Sequence, residues 1–250
     1  EGTPGACPVV GLVGAGVMGG GMGANLLAAG FPLLTVAYRN RETVDRLVAA
    51  GARDAGSLAA LARESDVVLL CLPTADVAAA VLDELLPSLA AGRLVIDTGT
   101  ARPEVSRAME AACADRGIAF VEAPVAGGKG QAEAGELGAI VGGSPEAVAR
   151  ARPVLEAFTA TIQHFGPVGT ASVAKLVNNY MVMGIAALVA EAYALADRAG
   201  VDWEKLYDVM IRGAGDSGVL RRMAGNAIAG DYRGYVFPVK GAAKDLSYFL

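Results

Sequence analysis

At 250 residues the chain can bury a sizeable core in one or two domains. Its 21 basic and 26 acidic side chains leave a formal charge of −5 with no basic stripe, which argues against nucleic acid as a partner. Three scattered cysteines, Cys7, Cys71 and Cys113, supply neither a metal cluster nor a disulfide framework, so no metal site is expected and a reducing, cytoplasmic setting is.

The first expected strand, Val9–Val13, opens into Gly14-Ala15-Gly16-Val17-Met18-Gly19 and a helix over Val17–Ala29 that Gly30 ends. An apolar run feeding G-x-G-x-x-G has specific chemistry. The first glycine allows the tight turn, the second lets a pyrophosphate reach the backbone, and the third lets helix and strand pack closely. The helix start then offers free N–H groups to the phosphates. A dinucleotide is therefore expected at Gly14, Gly16 and Gly19. The competing reading is a glycine-rich turn in an ordinary strand–helix unit, in a chain with 33 glycines. The flanking strand, Gly30 and a second strand at Leu33–Tyr38 weigh against it.

That second strand ends in Tyr38-Arg39-Asn40-Arg41, with no acid before Glu42. A carboxylate there would accept from a ribose 2′-OH and repel a 2′-phosphate, whereas an arginine fork binds the phosphate. NADP(H) is expected over NAD(H), which stays possible, with Arg39 as first contact. The alternative is that Arg39 and Arg41 merely begin the next helix on the surface.

Helices at Glu42–Ala50, Ser57–Arg63, Asp76–Leu85, Pro103–Arg116 and Pro145–Ala157 alternate with strands at Val67–Leu72, Leu94–Asp97, Ala119–Glu122, Ala139–Val141 and Thr161–Phe165. Regular alternation of this kind implies a doubly wound parallel sheet, with ligand at the carboxyl ends of its strands. Cys71, inside Val67–Leu72, reads as a buried strand cysteine rather than a nucleophile. His164, the one histidine, reads as structural.

After Gly169 the pattern turns helical: Thr170–Ala199, Val201–Arg212, Gly218–Ala229, and from Gly241 onward, with a loop at 213–218. The mean hydropathy of +0.43 raises the question of a membrane. The apolar stretch Met181–Ala190, closed by Asn178-Asn179 and Glu191, reads as too short to span one. The apolar stretch from Val9 lacks a basic leader and is not read as a signal peptide. Neither run implies a membrane partner. The long helix is apolar on most faces and is expected to be buried, in part by self-association as a homodimer or homotetramer. Domains are expected at 1–165 and 166–250, the second incomplete at Leu250.

Four ordered blocks resemble the β-hydroxyacid dehydrogenase family, which includes the 3-hydroxyisobutyrate dehydrogenases and the glyoxylate/succinic semialdehyde reductases. They are Gly11–Gly19 with Asn25-Leu26, Asp97-Thr98-Gly99-Thr100 with Pro103, Ala123-Pro124-Val125-Ala126-Gly127-Gly128, and Gly166–Gly169 leading to Lys175 and Asn178-Asn179. Lys244-Asp245-Leu246 resembles a last block. The resemblance implies a Rossmann-type domain followed by a helical domain with a long interdomain helix. It also implies cofactor contacts at Val17, Met18, Leu72, Pro73, Thr100 and Lys244 besides the glycines. Substrate contacts would be Thr100, Gly127, Gly128, Asn179 and Lys244, for a small carboxylic acid.

The expected activity is hydride transfer between a nicotinamide and a small 3-hydroxy acid or its semialdehyde. Such chemistry needs a proton donor and acceptor at the oxygen. With its one histidine read as structural, Lys175 is the natural candidate, because a dry pocket disfavours the ammonium. Asn179, four residues on, shares its helix face. A snorkelling lysine beside a surface asparagine is the bland alternative. Gly127 and Gly128 would offer N–H groups to a carboxylate, or form a plain turn. Thr100 would bond the substrate, or cap the helix near Pro103. Lys244 would favour a carboxylate, or simply pair with Asp245. Gly99 and Ala126 stand where the family commonly has serine, which puts the usual substrate in question. An imine reductase-like enzyme and a non-catalytic NADP-binding scaffold are the alternatives; the presence of Lys175 weighs against the first, and the missing serines leave the second open.

Overall fold

The structure, a computed structural model, describes residues 7–37, 41–233, 235 and 237–249. Two compact units divide the chain, Glu1–Lys175 and Leu176–Leu250.

The first unit is built on one nine-stranded sheet. Its strands are β1 (Val10–Val13), β2 (Leu33–Thr35), β3 (Arg53–Asp54), β4 (Val67–Leu70), β5 (Leu94–Asp97), β6 (Ala119–Glu122), β7 (Val125–Ala126), β8 (Leu137–Gly142) and β9 (Thr159–Gly166). Spatial order is β3-β2-β1-β4-β5-β6-β8-β7, with β9 beside β8. From β3 to β6 every pairing is parallel. That run is the 3-2-1-4-5-6 order of dinucleotide-binding sheets.

The strands read as continuous apolar runs because both faces are covered. Side chains alternate between two cores: Val10, Leu12, Leu69 and Ile96 enter one, and Val13, Leu34, Leu70 and Val95 enter the other. Helices α1 (Val17–Ala28), α2 (Glu42–Ala49), α3 (Leu58–Glu64), α4 (Ala75–Leu85), α5 (Pro103–Ala114), α6 (Lys129–Ala134) and α7 (Pro145–Glu156) connect the strands. Ser57, Thr74 and Ser144 cap α3, α4 and α7 by accepting from the third N–H of each helix.

One edge departs from the parallel pattern. β8 runs antiparallel to both β6 and β7, and β9 then pairs parallel to β8. Ten residues, with the short α6 among them, join β7 to β8, which allows a reversal but not a parallel crossover. β3, β7 and α6 carry no sequence expectation, and β2 ends at Thr35 rather than reaching residue 38, which lies outside the described residues.

Helix α8 (Thr170–Arg198) begins in the first unit and continues into the second. There α9 (Trp203–Met210), α10 (Gly218–Ile228) and α11 (Val239–Phe249) follow. Asp202 and Ser217 cap α9 and α10. The small core of this unit holds Val189, Tyr193, Leu220 and Ala224, with Trp203 edge-on to Tyr193 at 5.2 Å.

One expectation about α8 is corrected. The helix runs unbroken through Asn178, Asn179 and Glu191, as expected, but taken whole it is by length and composition long and apolar enough to cross a membrane, although the stretch Met181–Ala190 alone reads as too short. Within the single chain Tyr180, Met181, Leu188 and Leu195 are each more than half exposed.

Candidate functional site

Backbone sterics dictate the glycine turn at the carboxyl end of β1. Gly14 has φ +102°, and a Cβ there would lie 2.2 Å from the Cys71 carbonyl oxygen. A Cβ on Gly19 would lie 2.1 Å from the Gly14 carbonyl oxygen, so the start of α1 presses on the turn. Gly16 is different. It is exposed, its φ of −85° suits any residue, and a Cβ there would meet no atom of the described residues within 4 Å. Among the described residues no contact asks for glycine at 16.

Helix α1 starts at that residue with no side-chain cap and no acid in its first turn. Val17 is 69% exposed, Met18 half-buried. An open backbone, uncapped N–H groups and the positive helix end together form a cradle that fits a dinucleotide pyrophosphate. Leu72 and Pro73 follow β4 beside it, where a Cβ on Gly14 would also meet Leu72. Cys71 is half-buried, and desolvation pushes its thiol up to about 11, which removes it as a nucleophile.

A single side chain fixes α1 against α6. Asn25 Nδ2 donates to the carbonyls of Gly21 and Ala132, both at 2.9 Å. Gly21 lets the helices touch, since a Cβ there would lie 2.7 Å from the Ala132 backbone. The loop before α6 contains Gly127, at φ +130°, and Gly128. Gly128 donates its N–H to Gln131 Oε1 at 2.9 Å, so a carboxylate at this loop competes with Gln131 for that donor.

At the end of β5, Asp97 is buried and accepts from the Gly99 N–H at 3.0 Å, while Thr98 Oγ1 donates to the Leu70 carbonyl. Thr100 is half-buried. It does not cap α5, whose N-cap is Arg102 with Pro103 next, so the capping alternative is removed. Arg39 lies outside the described residues. Arg41 donates to Asp54 at 2.7 Å and to Asp45 at 3.3 Å, and these carboxylates, Asp54 first, raise its pKa. The Gly56 N–H and then Arg41 hold Asp54 below the usual carboxylate range. His164 Nε2 lies between the Gly143 and Gly166 carbonyls at 2.9 and 3.0 Å, a structural role as expected.

Lys175 is 8% exposed and is the last residue of the first unit, the unit that also holds the glycine turn. Glu122, at the end of β6, holds the start of α8 at its own carboxyl group. Its Oε1 accepts from the N–H groups of Gly169, Ala171 and Ser172 at 2.6, 2.9 and 3.3 Å, and its Oε2 accepts from the Ser172 hydroxyl.

In the second unit Asn179 is also 8% exposed and donates to Asp245 Oδ2 at 2.6 Å. Lys244 pairs with Asp245 Oδ1 at 3.1 Å and lies over the Tyr248 ring. The bland pairing of Lys244 with its neighbour is thus present, and it is part of a buried chain that includes Asn179. The sequence carries no sign of a role for Glu122 or Ser172, and for Asp245 only the pairing with Lys244. The one local signal at Glu122 is an acid ending an apolar strand, which is common.

Two family models cover most of the chain: the NAD binding domain of 6-phosphogluconate dehydrogenase matches residues 9–166, and the NAD-binding domain of NADP-dependent 3-hydroxyisobutyrate dehydrogenase matches 169–250. The NAD-dependent L-serine dehydrogenase of Pseudomonas aeruginosa is 40% identical over 214 residues, 84% of this chain and 72% of that one. The 3-hydroxyisobutyrate dehydrogenase of the same organism is 39% identical over the same shares. Among solved structures, Psf3 in complex with NADP+ and 2-OPP superposes with TM-score 0.86 at 33% identity, over 96% of this chain and 85% of that one. The imine reductase of Myxococcus stipitatus, at TM-score 0.74 and 22% identity over 89% and 75%, shares the fold alone.

Proposed function

The chain belongs to the NAD(P)-dependent 3-hydroxyacid dehydrogenases, and on that premise we propose that it oxidises a small 3-hydroxy acid, or reduces the matching semialdehyde, with Lys175 as general base and acid. When bound, the dinucleotide supplies the acceptor or donor of the hydride. Oxidation takes a hydride from the carbinol carbon and a proton from its hydroxyl, leaving an aldehyde. Lys175, in its neutral form, takes that proton and returns it in reduction. The observation that carries this reading is the burial of an amine in the same compact unit as the glycine turn.

Serine and 3-hydroxyisobutyrate, the substrates named for the two relatives, share a CH2OH group one carbon from a carboxylate. They differ only at the intervening carbon. We assign this chain a substrate of the same pattern. Thr100, the Gly127-Gly128 loop and Asn179 are its proposed contacts, with Lys244 drawn to its carboxylate. Gly99 and Ala126, lacking hydroxyls, favour a less polar substituent.

NADP(H) is proposed over NAD(H). Arg39 and Arg41 follow β2 with no acid until Glu42, and Arg41 neutralises the one carboxylate at the end of β3, Asp54. The exposed apolar residues of α8 support a homodimer or homotetramer.

One assay tests the core of this reading. L-serine, 3-hydroxyisobutyrate, their homologues and a cyclic imine are turned over with each dinucleotide, by the parent chain and by Lys175→Ala. The expected result is oxidation of a 3-hydroxy acid with a lower KM for NADP+, and a loss of roughly 10²- to 10⁴-fold in Lys175→Ala. Full activity in Lys175→Ala removes the lysine role, and a preference for NAD+ removes the role of Arg39.

A further inference from the structure

Every α-helix leaves its first N–H groups without intrahelical partners, and the residue at the N-cap ordinarily supplies a side-chain oxygen. α8 has none to supply. Its N-cap is Gly169, held at φ +100°, where a Cβ would lie 2.7 Å from the Arg107 guanidinium. Thr170, next in line, turns its hydroxyl back to the Pro167 carbonyl. The cap is supplied from another element altogether. Glu122, 47 residues earlier on β6, accepts from the N–H groups of Gly169, Ala171 and Ser172.

This carboxyl group is 1% exposed, and its surroundings are fitted to it. Gly142 on β8, opposite Glu122 in the sheet, leaves the room it needs, since a Cβ there would lie 2.5 Å from Oε1. Ser172 donates its hydroxyl to Oε2, and Ser106 on α5, also fully buried, lies 2.9 Å from Ser172 Oγ. With the Ser172 proton given to Glu122, Ser106 donates to Ser172. The chain Ser106–Ser172–Glu122 joins α5, α8 and β6, and each oxygen of the carboxyl group accepts at least one hydrogen bond. A buried polar group left without a partner costs stability, and neither carboxyl oxygen is left so.

The grip also has a direction. Lys175 stands three residues past Ser172, whose hydroxyl Glu122 holds, and so shares its helix face. A rigid helix transmits the rotation and axial position of its first turn directly to the next. We propose that Glu122 is a positioning residue that aims the Lys175 amine through the first turn of α8. This rests on the reading of Lys175 as general base. Loss of the grip lets the helix start rotate or slide, and a displacement of about 1 Å at a reacting group costs up to roughly 10²-fold in rate.

The test is a double-mutant cycle on the full chain. The parent, Glu122→Gln, Lys175→Ala and the double variant are assayed with the 3-hydroxy acid that the parent oxidises. NADPH affinity is measured alongside by calorimetry. Glutamine keeps one acceptor but turns the other oxygen into an NH2 that cannot accept from Ser172. The expected result is a fall in kcat of roughly 10- to 100-fold in Glu122→Gln. KM and the NADPH Kd stay within about twofold, because the glycine turn is untouched. In the Lys175→Ala background the same substitution adds no further loss, since no amine remains to be aimed. Hydrogen exchange at 169–175 quickens in Glu122→Gln in both backgrounds. Ser172→Ala, which removes one hydroxyl and no backbone contact, repeats the cycle if Glu122→Gln melts below the assay temperature. An equal proportional loss in both backgrounds, or an unchanged kcat, overturns the positioning role. Full activity in Lys175→Ala alone overturns instead the reading on which it rests.

Discussion

Gly14 and Gly16 stand two residues apart in one motif, and the structure gives them opposite reasons to be glycine. At Gly14 an alanine Cβ meets a backbone held at φ +102° and a carbonyl oxygen 2.2 Å away. The conformation costs about 1–2 kcal/mol, and the overpacking adds about 1–3 kcal/mol. At roughly 2–4 °C per kcal/mol for a chain of this size, Gly14→Ala lowers Tm by roughly 4–20 °C with no ligand present. At Gly16 the backbone suits alanine and the space is open. Gly16→Ala therefore leaves Tm unchanged or raises it by up to about 4 °C, because alanine restricts the unfolded chain. Its cost falls on the ligand. A Cβ where the pyrophosphate approaches overpacks the complex by about 1–3 kcal/mol, which raises the dinucleotide Kd roughly 5- to 150-fold. Thermal unfolding without ligand and calorimetric titration with NADPH and NADH measure the two quantities separately. Unchanged dinucleotide affinity in Gly16→Ala refutes the placement of the phosphates at this turn.

Asn25→Ala leaves the Ala132 carbonyl without the side-chain donor that ties α6 to α1, so a loss of about 1–3 kcal/mol is expected, read as a lower Tm with unchanged chemistry at Lys175. Titration with an aromatic disulfide at pH 8 should modify one thiol of the folded chain, the exposed Cys7, and three after denaturation, since burial pushes Cys71 up to about 11 and Cys113 up to about 12. A second fast-reacting thiol would contradict the burial of both. The same shifts set an alkaline limb of stability. An unfolded thiol ionises from about 8.5, while the folded chain keeps its protons, so the stabilisation is complete below that pH and is lost as pH rises toward 11 and 12. At pH 10 the loss is about 2 kcal/mol per thiol. Cys113→Ala should flatten the decline between pH 8.5 and 10 in denaturant unfolding, and an unchanged slope would count against the raised thiol.

What could be read ahead of the structure follows from where the determining forces act. β5 and β6 were delimited residue for residue, because a strand covered on both faces is apolar up to its border, marked here by Asp97 and Glu122 at the carboxyl ends. The glycine turn was legible because close backbone approach restricts residue type at fixed spacing. β3 and β7, two residues each, contain too little chain to show a period, and α6 is a polar six-residue helix held by Asn25 and Gln131 rather than by an apolar stripe. The reversed direction of β8 has no trace in its composition, since alternation is the same in either sense. Glu122 was invisible as a cap because the N–H groups it satisfies lie 47 to 50 residues away. Along α8, apolarity tells that a surface needs cover and not what supplies it.

The proposed reaction places an amine at residue 175 against the hydroxyl of a 3-hydroxy acid, beside a dinucleotide seated on the Gly14–Gly19 turn. A crystal structure with NADP+ and the acid that the chain oxidises tests this arrangement. Lys175 Nζ is expected within hydrogen-bond reach, about 2.6–3.2 Å, of the acid's hydroxyl oxygen, with the pyrophosphate over Gly16. A hydroxyl bonded to another side chain, with Lys175 turned away from it, would overturn the role of Lys175.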